Sequence, residues 1–145
     1  MKKSLSRFYV TNITDETPFT GIIEMSALVD KKEFGGKALV YLPKYVAPDD
    51  ELFEKTEAEI EEIFLTGLEK MYPHFKCEDV IEFKVSRVRQ VFPLPTINYS
   101  SNVPSVKTSI KGVYIVNSAQ ITNGTLNVNE TIQLAERFFE ENLTT

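Results

Sequence analysis

The 145-residue chain holds one histidine and one cysteine, His74 and Cys77, three positions apart. A thiolate–imidazole pair is the nucleophilic arrangement open to these types. It requires the two side chains in hydrogen-bond contact and a third group to orient the ring. Both residues follow Pro73, with no orienting partner beside them, so the stretch reads as a surface turn. A zinc site needs more Cys or His ligands than the chain has, and no metal is expected. The acidic run Asp49, Asp50, Glu51, Glu54, Glu57, Glu59, Glu61 and Glu62 lacks the Asp/Asn alternation and central glycine of a calcium loop. It reads as a solvated helix start, where carboxylates meet the positive end of the macrodipole. Arg87 and Arg89 fit either an anion-binding pair for a substrate or two outward-facing strand residues, and both readings stay open. No phosphate-loop, dinucleotide-fingerprint, nucleophile-elbow or zincin pattern occurs, so catalytic residues are unassigned.

The C-terminal third holds the more informative pattern. An apolar run, Gly112 to Val116, passes into the polar segment Asn117 to Asn129 and then an amphipathic helix. Such a junction aims free backbone N–H groups and the helix's positive end at whatever lies above the strand. An ordinary strand–loop–helix connection has the same pattern.

The elements that must position these residues make an α+β chain. Arg7 to Asn12, Gly21 to Val29 and Lys37 to Tyr45 read as three strands with short connections, hence an antiparallel meander. Pro43 cannot donate to a ladder, so that end belongs at an edge or outside the sheet. Thr56 with Glu59 forms a capping-box pattern. Ile60, Ile63, Phe64, Leu68, Met71 and Tyr72 then mark one buried face of a long helix that Pro73 ends. Val80 to Phe92 reads as a strand with a phase break at Val88. A proline-punctuated stretch follows, then the short strand Gly112 to Val116. The last helix is capped by Asn127 ahead of Glu130, with Ile132, Ala135 and Phe139 on its main stripe and Leu134 and Phe138 beside it. The sheet is therefore antiparallel or mixed, with one long amphipathic helix and a C-terminal strand–loop–helix.

Bulk properties narrow the setting. A 42% hydrophobic and 26% charged composition is that of a globular protein, and a net charge of −5 gives no reason to expect nucleic acid. No apolar run approaches the ~18 residues of a membrane span. Ser6 and Arg7 interrupt any signal-like apolar region, and a lone cysteine fits a reducing compartment. The expected location is cytoplasmic. The Asn-x-Ser/Thr patterns at Asn12, Asn98, Asn123, Asn129 and Asn142 are then incidental to an Asn/Thr-rich sequence.

Gly112-Val113-Tyr114-Ile115-Val116-Asn117-Ser118, followed by Asn129-Glu130-Thr131-Ile132-Gln133-Leu134-Ala135, resembles the C-terminal flavin-contacting segment of FAD-dependent oxidoreductases of the amine oxidase and protoporphyrinogen oxidase superfamily. Ser6 to Asn12, Pro18 to Glu24, Gly35-Gly36-Lys37, Leu42 to Tyr45 and Gln90 to Pro93 resemble the substrate-domain strands of protoporphyrinogen oxidase-like proteins. The resemblance implies that residues 1–111 are a substrate-domain-like sheet and helix. Residues 112–145 would be the strand–loop–helix that closes a split FAD-binding domain. By position, Asn117 and Ser118 stand where the family has Gly-Asp, whose carboxylate bonds the ribityl chain; Ser118 replaces that acid. Asn127 opens the helix, Val128 and Asn129 stand where backbone N–H groups face the isoalloxazine, and Thr131 and Ile132 match the family's Ala-Ile. Ala135 replaces a frequent glycine.

The implied activity is hydride transfer from an organic substrate to flavin, with Arg87 and Arg89 on the substrate side. The N-terminal dinucleotide-binding half is expected as a missing partner, and the chain alone is expected to be inactive. The rival expectation is a non-catalytic binding or oligomerising module derived from that fold. Self-association through the surface left by the missing half is expected in either case.

Overall fold

The computed structural model describes residues 1–124 and 126–142. It is a small α+β fold with a three-stranded antiparallel sheet and two long helices. The chain divides into two compact units, Met1–Arg87 and Val88–Thr145. This division is by packing. The 1–111 and 112–145 division concerns which part of a larger fold each stretch resembles, a separate question.

The first unit holds the sheet. Strands β1 (Val10–Asn12), β2 (Gly21–Glu24) and β3 (Val40–Tyr41) lie in that order, with Val10 opposite Ile23 and Ile23 opposite Tyr41. The expected meander is present, but its strands are shorter than the apolar runs. β2 stops at Glu24, because Met25–Ala27 turns back on itself and the Leu28 and Val29 amides both donate to the Met25 carbonyl. β3 stops before Pro43, whose carbonyl accepts from the Thr20 amide at 2.8 Å.

Side chains alternate across β2. Ile22 and Glu24 point inward, while Ile23 joins the exposed Val10 and Tyr41 on the outer face. The inward face is roofed by α1 (Glu57–Met71). Its capping box forms as the sequence requires: the Thr56 hydroxyl accepts from the Glu59 amide at 3.3 Å, and the Glu59 carboxylate accepts from the Thr56 amide at 2.7 Å. The Thr56 hydroxyl also donates to that carboxylate at 2.7 Å, and this bond, with the one from the Thr56 amide, holds the Glu59 pKa below the usual carboxylate value. Ile60, Phe64 and Leu68 join Leu5, Phe19, Ile22 and Phe75 in the core. Phe64 packs tilted on Phe19, with ring centroids 5.7 Å apart. Gly67 lets the helix approach closely: a Cβ there would lie 3.1 Å from two Pro18 ring atoms and from Phe19.

One polar residue shares this core. Glu24, 1% exposed, accepts from the Leu5 amide at 2.9 Å and from the Ser26 hydroxyl. Its carboxylate pins the N-terminal segment to the sheet. That segment is held further by Lys3, whose ammonium lies 3.2 Å from the buried Asp79 carboxylate.

The strand expected over Val80 to Phe92 does not form. Within the first unit, Phe83 and Val85 pack on the core, and Phe83 meets Phe64 edge-on at 6.4 Å, but Ile81 stays exposed. Of the alternating Ile81, Phe83 and Val85, the last two share the covered side. No neighbouring backbone offers the ladder that would make this segment a strand.

In the second unit, Gly112 to Val116 is one arm of a short hairpin rather than a full strand. Lys107 and Tyr114 form a single antiparallel bridge, and the Ile115 amide donates to Val106 at 2.9 Å. Gly112, at a φ of 83°, closes the turn. Helix α2 spans Val128–Asn142. Its partly covered face carries Leu134 and Phe138, and Phe138 packs on Tyr114 with centroids 5.3 Å apart. The stripe expected to be the main one, Ile132, Ala135 and Phe139, is exposed. Among the described residues, no helix is long and apolar enough to cross a membrane.

Candidate functional site

The polar segment between the hairpin and α2 is built from two consecutive caps. At its start, the Asn117 side-chain oxygen accepts from the Ala119 amide at 2.9 Å, and the Asn117 amide donates to the Gln120 side-chain oxygen at 2.9 Å. The Gln120 amide group then donates to Ile115 at 3.0 Å and to Pro104 at 3.2 Å, and the Tyr99 hydroxyl donates to Ala119 at 2.6 Å. Gln120 and Ile121 are the two buried residues among those described in this unit. They fix the mouth of the loop.

At its end, the Asn127 side-chain oxygen accepts from the Glu130 amide at 2.9 Å. The Asn127 carbonyl accepts from the Thr131 amide at 3.2 Å and from the Thr131 hydroxyl at 3.0 Å. Among the described residues, the first backbone bond into α2 is the one from Thr131. The N–H groups of Val128 and Asn129 precede it, in the first turn, where amides have no partner within the helix itself. Gly124, at a φ of 117°, passes against the Glu130 carboxylate: a Cβ would lie 3.0 Å from its carbon. The third residues of the patterns at Asn123 and Asn142, Thr125 and Thr144, lie outside the described residues.

Asn117, Asn127 and Thr131 are thus spent on local hydrogen bonds, Ser118 opens the single 3-10 turn Ser118–Gln120, and Val128 is exposed. What the segment can offer a ligand is backbone amide donors and small polar groups. Its one nearby acid among the described residues, Glu130, sits beside Gly124. The segment can bind and orient a ligand, with the Glu130 carboxylate held at the start of the helix.

The other candidates lie in the first unit or at its end. His74 Nε2 contacts the Leu5 carbonyl at 2.9 Å, and its ring packs edge-on to Tyr72. The Cys77 thiol donates to Glu69 at 3.1 Å, and that bond, with burial and the Glu69 charge, pushes the thiol pKa up. His74 and Cys77 therefore take separate partners, and the thiol is moved away from a reactive thiolate. Arg87 donates to the Lys55 carbonyl at 2.7 Å, just ahead of α1. Arg89 belongs to the second unit, exposed. Among the described residues, no group of three or more His, Cys, Asp or Glu is placed to hold a metal ion.

Sequence reasoning missed two features. The Asn117–Gln120 box has the same spacing as Thr56–Glu59, so the signal was legible. An open groove of about 580 Å³ along α1, bordered by Glu16, Pro18, Lys55, Glu62 and Lys70, arises only when the loop before β2 meets the helix. Its charges are of both signs, and they select no ligand class. Comparison of the chain with models of protein families, with characterised proteins and with solved structures found no match.

Proposed function

We propose that this chain is the C-terminal portion of an FAD-dependent oxidoreductase of the amine oxidase and protoporphyrinogen oxidase type. It would supply a substrate-side sheet and the loop and helix that close the flavin site. One observation carries the reading: the residues that resemble the family's flavin-contacting segment form a doubly capped polar loop ending in the first-turn amide donors of Val128 and Asn129. Those donors suit a carbonyl-rich ring that gains negative charge on reduction. The fit is incomplete at Ser118, which can offer the ribityl chain a hydroxyl but no carboxylate.

When bound, FAD would supply the hydride acceptor, and the chain's own part is positional. The Asn127 cap holds the Val128 and Asn129 amides in place. The Asn117–Gln120 box fixes the loop's entry, and Gly124 keeps the backbone free of side-chain bulk. The adenosine and pyrophosphate need a glycine-rich strand–turn–helix, and these 145 residues contain no G-x-G-x-x-G. That half must come from residues outside them. The rival, a non-catalytic module, draws support from the local use of Asn117, Asn127 and Thr131 in caps rather than toward a ligand.

The test is the coding sequence upstream of this one. The reading expects a strand followed by G-x-G-x-x-G and a helix, and coexpression of that product with this chain should give a complex with the absorption spectrum of oxidised flavin. A colourless complex, or upstream sequence without the fingerprint, would count against it.

A further inference from the structure

The loop ahead of α2 contains a residue pair that can react without an enzyme. Of the eight asparagines, Asn123 is the one that a glycine follows. Gly124 has no side chain to keep its nitrogen away from the Asn123 side-chain carbonyl carbon, and the two can close a five-membered ring.

The fold decides which asparagines are open to this reaction. Four have side chains tied to backbone nearby. Asn117 and Asn127 accept from the Ala119 and Glu130 amides, each at 2.9 Å, while Asn102 and Asn142 donate to the Asn98 and Phe138 carbonyls at 3.3 and 3.0 Å. Asn12, Asn98 and Asn129 are exposed, but Ile13, Tyr99 and Glu130 follow them, and a Cβ crowds the attacking nitrogen. Asn123 and Gly124 are both exposed, and among the described residues neither the Asn123 side chain nor the Gly124 amide makes a hydrogen bond. Gly124 also holds a φ of 117°, a conformation that residues with a Cβ rarely adopt.

We propose that Asn123 converts spontaneously to aspartate and isoaspartate in the folded chain, and that the carboxylate so gained loosens the start of α2. The Gly124 nitrogen bonds to Asn123 Cγ, the Cγ–Nδ2 bond breaks, and ammonia leaves with the Gly124 amide proton. Water then opens the resulting succinimide at either carbonyl. One product is aspartate; the other is isoaspartate, in which the chain runs on through the side-chain carbonyl. Each puts a negative charge next to Gly124, where the Glu130 carboxylate already lies: a Cβ on Gly124 would be 3.2 Å from both of its oxygens. Glu130 is the residue whose amide the Asn127 cap holds, so repulsion between the two carboxylates falls on the first turn of the helix. The inference rests on exposure, hydrogen bonding and charge, and it does not depend on the flavin reading.

Peptide mass spectrometry of the whole chain, sampled over weeks at neutral pH, tests the site. The expected result is conversion at Asn123 while Asn117 stays intact, with the two products separated by chromatography against synthetic peptides. Gly124→Ala should slow the conversion about tenfold or more by crowding the attacking nitrogen; an equal rate would exclude the ring-closing route. An Asn123 that stays intact in the folded chain, over a period in which the urea-unfolded chain converts, would overturn the proposal, because the fold would then protect the pair. The effect on α2 is read from Asn123→Asp, which supplies the charge at once. Hydrogen exchange at the Glu130 and Thr131 amides should accelerate about fivefold at low ionic strength. It should return toward the wild-type rate in ~1 M salt, where the screening length is about 3 Å. Unchanged exchange at low ionic strength would overturn the effect on the helix.

Discussion

Replacing Glu24 separates two accounts of why a carboxylate sits in the core. Its side chain, 1% exposed, accepts from the Leu5 amide at 2.9 Å and from Ser26. Leu5 is itself 4% exposed, so its N–H has no route to water while the core is intact. Glu24→Ala removes a charge-assisted bond of roughly 1.5–3 kcal/mol and leaves a buried donor unsatisfied at about 1–3 kcal/mol. The expected loss is about 3–5 kcal/mol, much of the ~5–15 kcal/mol that holds a domain together. Glu24→Gln keeps the shape and an acceptor for Leu5, and its amide can donate to Ser26; the expected loss is about 1–1.5 kcal/mol.

Urea unfolding followed by circular dichroism reads both. With a slope near 2 kcal/mol/M, the alanine variant should move the midpoint by roughly 2 M and the glutamine variant by well under 1 M. Hydrogen exchange at the Leu5 amide should accelerate in the alanine variant and stay slow in the glutamine one. Equal losses in the two would show that charge, not the acceptor, is what the core requires. An alanine loss below ~1 kcal/mol would refute the anchoring role altogether.

Three further outcomes follow from α1. Phe64→Ala should cost about 3–5 kcal/mol in the same unfolding assay, since its ring contacts both Phe19 and Phe83. Gly67→Ala would gain up to about 1 kcal/mol in a free helix, but its methyl would press on Pro18 and the fully buried Phe19. Overpacking costs ~1–3 kcal/mol, so a net loss is expected on a denaturation curve. Thr56→Ala should cost roughly 1 kcal/mol at neutral pH. Because the Thr56 bonds lower the Glu59 pKa in the folded state, their contribution is present above the ordinary carboxylate pKa and fades as pH falls through the lowered one. The gap between wild type and Thr56→Ala should therefore narrow in acid, which paired pH titrations of stability would show.

Local rules carried far along this sequence. The Thr56–Glu59 box, the α1 face and the Asn127 cap each depend on residues within one or two turns, and each forms as read. Features set by distant partners were not legible. The alternation of Ile81, Phe83 and Val85 marks a covered side for Phe83 and Val85 but not for Ile81. Strand status also requires a neighbouring backbone, and none is supplied. α2 carries two apolar stripes of similar strength. The Tyr114 contact decides that Leu134 and Phe138 turn inward, and that contact is absent from any helical period. Glu24 reads as an ordinary polar strand residue until Leu5, nineteen positions earlier, presents its amide. At the candidate loop, spacing gives both caps. What the amide donors of Val128 and Asn129 serve was read from resemblance, not from geometry.

The flavin-facing role of that loop can be measured on the chain itself, by following its backbone amides in NMR while adding FMN, and separately AMP. FMN carries the ring and ribityl phosphate that the loop should meet; AMP carries the adenosine half for which these residues have no glycine-rich site. The account predicts weak binding of FMN, with a Kd of ~0.1–1 mM, and shifts centred on Asn117, Ser118 and residues 127–131. AMP should leave those amides unmoved. Shifts centred on Met1–Arg87, equal shifts with AMP, or no shift at millimolar FMN would contradict the claim that this segment closes a flavin site.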